Sequence, residues 1–253
     1  MKAAHFVLQG KGGVGKSFAA TILAQYLADR LNGQLPLHCY DTDPVNQTFT
    51  RYKALQAKMV PILNQDDVID SRKFDSLIED IITEEGIAVT DNGAATFVPL
   101  LGYMTENHIA DLLKESGVDV YFHVVITGGQ AMEDTIVGLK TVLDKLNGKV
   151  VVWANEYFGE LSQAGKPVQE FKVISDNQDK IIGVVKIARR TADTFGKDIE
   201  NMVKANLTFE EAKKSFHLLP RQRLMMVQRD LYAELDQQSF GGSVLPPAGK
   251  KAG

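Results

Sequence analysis

A single cysteine, Cys39, stands among 253 residues, so no disulfide can brace this fold. That scarcity predicts a reducing, cytoplasmic setting, with Cys39 a buried and inert thiol. No apolar run approaches the roughly 20 residues a membrane span needs. The stretch Met1 to Gln9 lacks the apolar core of a signal peptide. Neither sign of charge dominates: 28 basic and 32 acidic residues leave a net charge of −4. Constitutive wrapping by nucleic acid is disfavoured, and any DNA binding must come from a local patch. What remains is an ordinary globular composition, 44% hydrophobic and 24% charged, long enough to bury a large core.

Short β-rich runs alternate with longer stretches of helical period. Strands are expected at His5–Gln9, Leu35–Tyr40, Ile87–Thr90, Val118–Thr127, Val150–Trp153 and Ile181–Ile187. Between them, helices are expected over Ser17–Leu31, roughly Asp70–Glu84, and Met132–Leu146. Strands joined by crossover helices predict a doubly wound α/β fold: a mostly parallel sheet with helices on both faces. The last third reads as helical. Thr208-Phe209-Glu210-Glu211 has capping-box spacing. Pro220 precedes a final helix whose apolar face is Leu224, Val227, Leu231 and Leu235. No linker divides residues 1–240, which are expected to form a single domain. The segment 241–253, GGSVLPPAGKKAG, has no apolar period and is expected to be a mobile tail.

The strongest local signal is Gly10-Lys11-Gly12-Gly13-Val14-Gly15-Lys16-Ser17, a match to G-x-x-x-x-G-K-[ST]. It lies after a predicted strand and opens a predicted helix, as its mechanism requires. Glycines 12, 13 and 15 let successive N–H groups curl around an anion. The main chain from Gly12 through Val14 to Phe18 would then cradle the phosphates of a nucleotide, with the helix dipole behind it. Lys16 would reach the β- and γ-phosphates, and the Ser17 hydroxyl would hold Mg²⁺. A plain glycine turn would not demand Lys16 and Ser17 as well.

The second lysine, Lys11, gives K-G-G-x-G-K-[ST], the deviant Walker A pattern, and with it the chain resembles the ParA/MinD superfamily of ATPases. The resemblance implies ATP as ligand and a nucleotide-sandwich homodimer in which Lys11 reaches the partner's phosphates, as an arginine finger would. Asp41-Thr42-Asp43-Pro44 follows the second strand, where ligands bind in open α/β sheets, and resembles the D-x-D-P switch of that superfamily. By resemblance Asp43 orients the attacking water and Asp41 supports the Mg²⁺ shell. Two such aspartates could also serve only as turn formers. Asp91 ends a Walker B-like strand and would face the metal. Asn92-Gly93-Ala94 departs from the Pro-rich segment common in relatives. Asn155 resembles the asparagine that meets the adenine edge, and no guanine-reading N-K-x-D motif follows its strand.

One cysteine excludes an iron–sulfur reductase of nitrogenase type, which needs two per subunit, and also the thiol-rich arsenite pumps. The final helix carries Arg221, Arg223 and Arg229 but also Asp230, Glu234 and Asp236, so packing is favoured over a membrane surface. The stretches DTDPVNQTF, TDNGAATFVPL, VVITGGQAMEDT and WANEYFG narrow the resemblance to TraL/StbB-type ParA-like proteins of conjugative plasmids. That group implies a slow switch ATPase serving plasmid transfer or stability, with a plasmid transfer or partition protein as partner. A DNA-coating partition ATPase is the alternative, with Lys186, Arg189, Arg190, Lys213, Lys214, Arg221 and Arg223 as candidate non-specific DNA contacts. A small-molecule phosphotransferase and a nucleotide-binding scaffold also use such a loop; Lys11 argues against the former.

Overall fold

The computed structural model describes residues 1–163 and 165–238. The expected tail lies outside them. Seven strands form one sheet in the order β3-β2-β4-β1-β5-β6-β9, every neighbouring pair parallel. They are β1 (Ala3–Leu8), β2 (Leu37–Asp41), β3 (Lys58–Met59), β4 (Ile87–Asp91), β5 (Asp119–Thr127), β6 (Lys149–Asn155) and β9 (Ile181–Ile187); β7 (Ser162–Gln163) and β8 (Lys166–Pro167) form a separate small hairpin. Chain order reverses on either side of β1, so the loop leaving β1 sits at the switch point where open α/β sheets bind ligands.

Side chains alternate across the strands into two cores. Ala4, Phe6 and Leu8 face a layer built from α2 (Asp75–Thr83), α3 (Phe97–Glu106), α4 (Ile109–Glu115), α5 (Met132–Lys145) and α6 (Lys172–Ser175). Ala3 and Val7 face α1 (Lys16–Leu31), α7 (Lys197–Lys204), α8 (Phe209–Ser215) and α9 (Leu218–Asp236). Both faces are covered, which is why the central strands are apolar throughout rather than alternating. The doubly wound arrangement expected from the sequence is the one observed.

The second layer holds a polar chain. Trp153 Nε1–H donates to His123 Nδ1 at 3.0 Å, which leaves His123 Nε2–H to donate to His5 Nδ1 at 2.9 Å. Burial keeps both imidazoles neutral, lowering His5 to about 3. Cys39 lies buried in β2, its thiol pushed up to about 12 by the same cause.

Most elements fall within two or three residues of their expected bounds. The helix expected from about Asp70 begins instead with one 3₁₀ turn, Ser71–Phe74, before α2. Helices α3 and α4 add to those read from periodicity. At α8 the expected capping box is present: the Thr208 hydroxyl accepts from Glu211 N–H, and the Glu211 carboxylate accepts from Thr208 N–H at 2.9 Å. Pro220 lies in the first turn of α9, where its missing N–H costs nothing. Removing the cap with Thr208→Ala should cost about 1 kcal/mol and lower the thermal midpoint by a few degrees, with Thr208→Ser close to neutral.

Candidate functional site

The carboxyl ends of β1, β2, β4, β5 and β6 converge around the loop from Gly10 to Gly15. Gly13 (φ +73°) and Gly15 (φ +100°) take the left-handed conformation that turns the loop. At Gly15 a Cβ would also stand 2.8 Å from Asn155 Nδ2. Two buried amides hold the turn. Gln9 accepts from Lys11 N–H at 3.4 Å through Oε1 and donates through Nε2 to the carbonyls of Val125 and Thr135 at 2.8 and 3.0 Å. Asn155 donates to the Val14 carbonyl at 2.9 Å and accepts from Tyr157 N–H at 3.1 Å. The side chain expected at the adenine edge therefore braces the phosphate loop.

The two lysines of the loop point to different partners. Lys16 is buried and donates to the Lys11 carbonyl at 2.9 Å. Burial lowers its pKa, while the charges of Asp91 and Asp43 oppose that fall. Lys11 turns outward, its Nζ 2.7 Å from Asp134 Oδ2 in the first turn of α5.

Each of the three aspartates has a distinct environment. Asp43 would be raised by its burial, but N–H groups of Asn46 and Val45, the Asn46 amide and the Lys16 charge outweigh that and hold it below the usual carboxylate range. Both oxygens of Asp41 accept from main-chain N–H groups, of Asp43 at 3.0 Å and Thr50 at 3.1 Å. Its contacts thus shape the switch loop. Asp91 is paired in register with Asp41 across β2 and β4, and both its oxygens are buried without a hydrogen-bond partner among the described residues. Burial pushes it up to about 7; the Ser17 hydroxyl and the Lys16 charge oppose that rise, and the Asp41 and Asp43 charges add to it.

A buried carboxylate with unfilled oxygens beside a serine hydroxyl is a fitting place for a hard cation. Among the described residues, no cluster of three or more His, Cys, Asp or Glu could hold a metal alone. Ser17 and Asp91 would therefore share the ion with oxygens of a bound phosphate and water, as suits Mg²⁺.

The segment Asn92-Gly93-Ala94, where the sequence departs from the superfamily pattern, has a defined function in the fold. Asn92 Nδ2 donates to the Val7 carbonyl at 3.1 Å, and its Oδ1 accepts from the Thr42 hydroxyl at 2.8 Å, tying β1, β4 and the D-T-D-P turn together. A Cβ on Gly93 would lie 2.6 Å from Asp43 Cγ, so only glycine lets Asp43 pack there.

Beyond Ser17, Phe18 lines a cleft of about 300 Å³ with Lys186, Ile187, Arg189, Arg190 and Glu234. Lys186 is paired with Glu156 at 2.9 Å and Arg190 with Asp230 at 2.6 Å. Among the other candidate DNA contacts, Lys213 pairs with Glu210 and Arg223 with Asp198. Four of the seven basic side chains thus already have carboxylate partners. Among the described residues no helix is long and apolar enough to cross a membrane.

Two proteins named TraL, both from Escherichia coli, are 42% and 40% identical to this chain over 240 residues, covering 93% of it and 98% of each relative. The chain belongs to the TraL family. No protein-family model matches it. The MinC:MinD cell division complex of Aquifex aeolicus superposes with a TM-score of 0.50 at 14% identity, covering 91% of this chain and 96% of that one, which shows a shared fold. The TraL-type, ParA/MinD-like resemblance read from the motifs is thereby matched in family and in fold. Sequence reasoning missed Gln9, Asn92 and Asp134. Gln9 had one available signal, a polar residue ending an otherwise apolar strand.

Asp91 titrates near 7 in the folded protein and near 3.8 when unfolded, so the folded state binds the extra proton between those values. Its favourable contribution is present below pH 4 and lost as pH rises through 7. Asp91→Asn should accordingly stabilise the nucleotide-free protein at pH 8 by about 2 kcal/mol, raising its thermal midpoint by several degrees. At pH 5 the gain should shrink, and at either pH the variant should lose stabilisation by Mg²⁺ and nucleotide. Scanning calorimetry across pH reads both effects.

Proposed function

We propose that this chain is a slow MgATP-dependent switch ATPase that closes into a homodimer in the ATP state and serves conjugative transfer or stability of a plasmid. The observation that carries the reading is the buried Asp91 carboxylate, its oxygens without a hydrogen-bond partner among the described residues, beside the Lys16–Ser17 turn of a complete phosphate loop. Residues 1–240 act as one ATPase domain, and the buried single thiol suits the cytoplasm.

The N–H groups from Gly12 to Phe18 cradle the phosphates of ATP, and Lys16 leaves the Lys11 carbonyl for the β- and γ-oxygens. Mg²⁺, when bound, neutralises charge on those oxygens. Ser17 and Asp91 hold it, and Asp41 serves by fixing the loop that carries Asp43. Asp43, held ionised, orients water for in-line attack on the γ-phosphorus. The base occupies the cleft beginning at Phe18, where Arg190 offers a planar cation for stacking. Asn155 acts on the loop through the Val14 carbonyl.

Lys11 completes the charge stabilisation from the second copy. Five exposed apolar side chains adjoin site residues: Val45, Val98, Val137, Tyr157 and Phe158. Exposed apolar side chains of this kind are what pairing would cover. Tyr157 and Phe158 meet edge-to-face at 4.9 Å between ring centroids. Their loop can approach this closely because Gly128 and Gly129 carry no Cβ, which would strike the carbonyls of Gly159 and Phe158. The TraL relatives support the plasmid context, with a transfer or partition protein as partner.

Light scattering after size exclusion tests the reading. Wild type should be monomeric with MgADP and dimeric with MgATP, while Lys11→Ala stays monomeric and loses turnover by a factor on the order of 10³. Asp43→Ala should still dimerise but release phosphate about 10²-fold more slowly. A monomer in both nucleotides would reject the dimer. Salt-sensitive co-elution with plasmid DNA would favour the partition alternative.

A further inference from the structure

We propose that Asp134 is a positioning residue for Lys11: it retains the loop's outward lysine within its own subunit until pairing with a second copy draws that lysine across. The inference rests on the dimeric reading above and assigns its threshold to one carboxylate.

The pair joins residues 123 positions apart on different elements, the phosphate loop and the first turn of α5. Those elements are fixed to each other independently of the ion pair. Gln9 accepts from Lys11 N–H and donates to the Thr135 carbonyl, the residue after Asp134. One turn on, α5 presents Gly138, where a Cβ would stand 2.1 Å from Gln9 Oε1. The helix therefore lies flush on the end of β1 and offers Asp134 at a set place beside the loop. Meanwhile the inner acids are faced by the other lysine: the charges of Asp91 and Asp43 act on Lys16. The loop's two ammonium groups are thus sorted, one inward and one outward.

The energetics suit a hold that is meant to be released. The Lys11 and Asp134 side chains are 47% and 60% exposed, so solvent screens their attraction and the bias is only about two- to fivefold. Asp134 also lies at the N-terminal end of α5, where the helix dipole and water stabilise its charge after Lys11 leaves. Neither partner is stranded in an apolar site when the pair opens.

Acylation of nucleotide-free, full-length protein by an amine-reactive ester, followed by peptide mass spectrometry, reads the hold directly. Asp134→Asn should speed modification of Lys11 about two- to fivefold at low salt, with Lys145 unchanged and Asp134→Glu restoring part of the protection. With MgATP, Asp134→Asn should dimerise at a protein concentration lower by a similar factor, and the gap from wild type should close at 0.5 M salt, where the Debye length falls to roughly 4 Å. Equal Lys11 modification in wild type and Asp134→Asn would overturn the proposal. So would a protected Lys11 with identical dimerisation, because the pair would then be a surface contact only. If neither protein dimerises with MgATP, the dimeric reading fails and takes this inference with it. A dimer insensitive to Asp134 removes this inference alone.

Discussion

Two buried amides, of Gln9 and Asn155, hold the phosphate loop, and the rest of the site takes its geometry from that grip. The loop is mostly glycine, so beyond the buried Val14 it has little side-chain packing of its own and a large conformational entropy to lose on ordering. Gln9 takes an N–H near its start, and Asn155 engages a carbonyl near its end. Each amide is anchored elsewhere, Gln9 on β5 and α5 and Asn155 on the loop after β6. A turn braced at both ends in this way would spend little of a ligand's binding energy on its own ordering.

The acids around the loop are tuned in opposite directions by their surroundings. Asp43 receives hydrogen bonds from Asn46 and Val45 and stays ionised, whereas Asp91 receives none among the described residues and is pushed up toward neutrality. Adjacent strands deliver both within one small volume, with Asp41 in register beside Asp91. Such frustration lowers the stability of the ligand-free state and would be relieved by a bound cation, a trade that functional sites repeatedly make. Asn92 and Gly93 show how closely the surroundings are fitted: one ties three strand ends together, and the other makes room for the Asp43 side chain.

Much of this was legible in the sequence because it depends on local rules. The glycine spacing of residues 10–17 encodes a loop that needs positive φ, and Asp41, Asp43 and Asp91 announce themselves by following apolar runs. The sheet was legible because strands buried on both faces leave unbroken apolar segments. The unread features depend on distant partners. Gln9 looks like any polar residue ending a strand until Val125 and Thr135 are brought alongside it. Asp134 reads as an acid in a helix's first turn, and only the fold brings Lys11 to it. Helix α3 was hidden by Pro99, Gly102 and an apolar surface too broad to show a 3.6-residue period. Asn155 was seen as a site residue, but its hold on the Val14 carbonyl was not, since spacing locates a side chain without saying which neighbours its amide meets.

The lone, buried thiol of Cys39 makes this molecule unusually convenient for spectroscopy. Enclosed in β2 and held protonated, it offers a maleimide almost no thiolate to react with. A cysteine installed at an exposed position such as Val98 would therefore be the one labelled atom per chain, and a fluorophore or spin label there would report a single distance against a silent background.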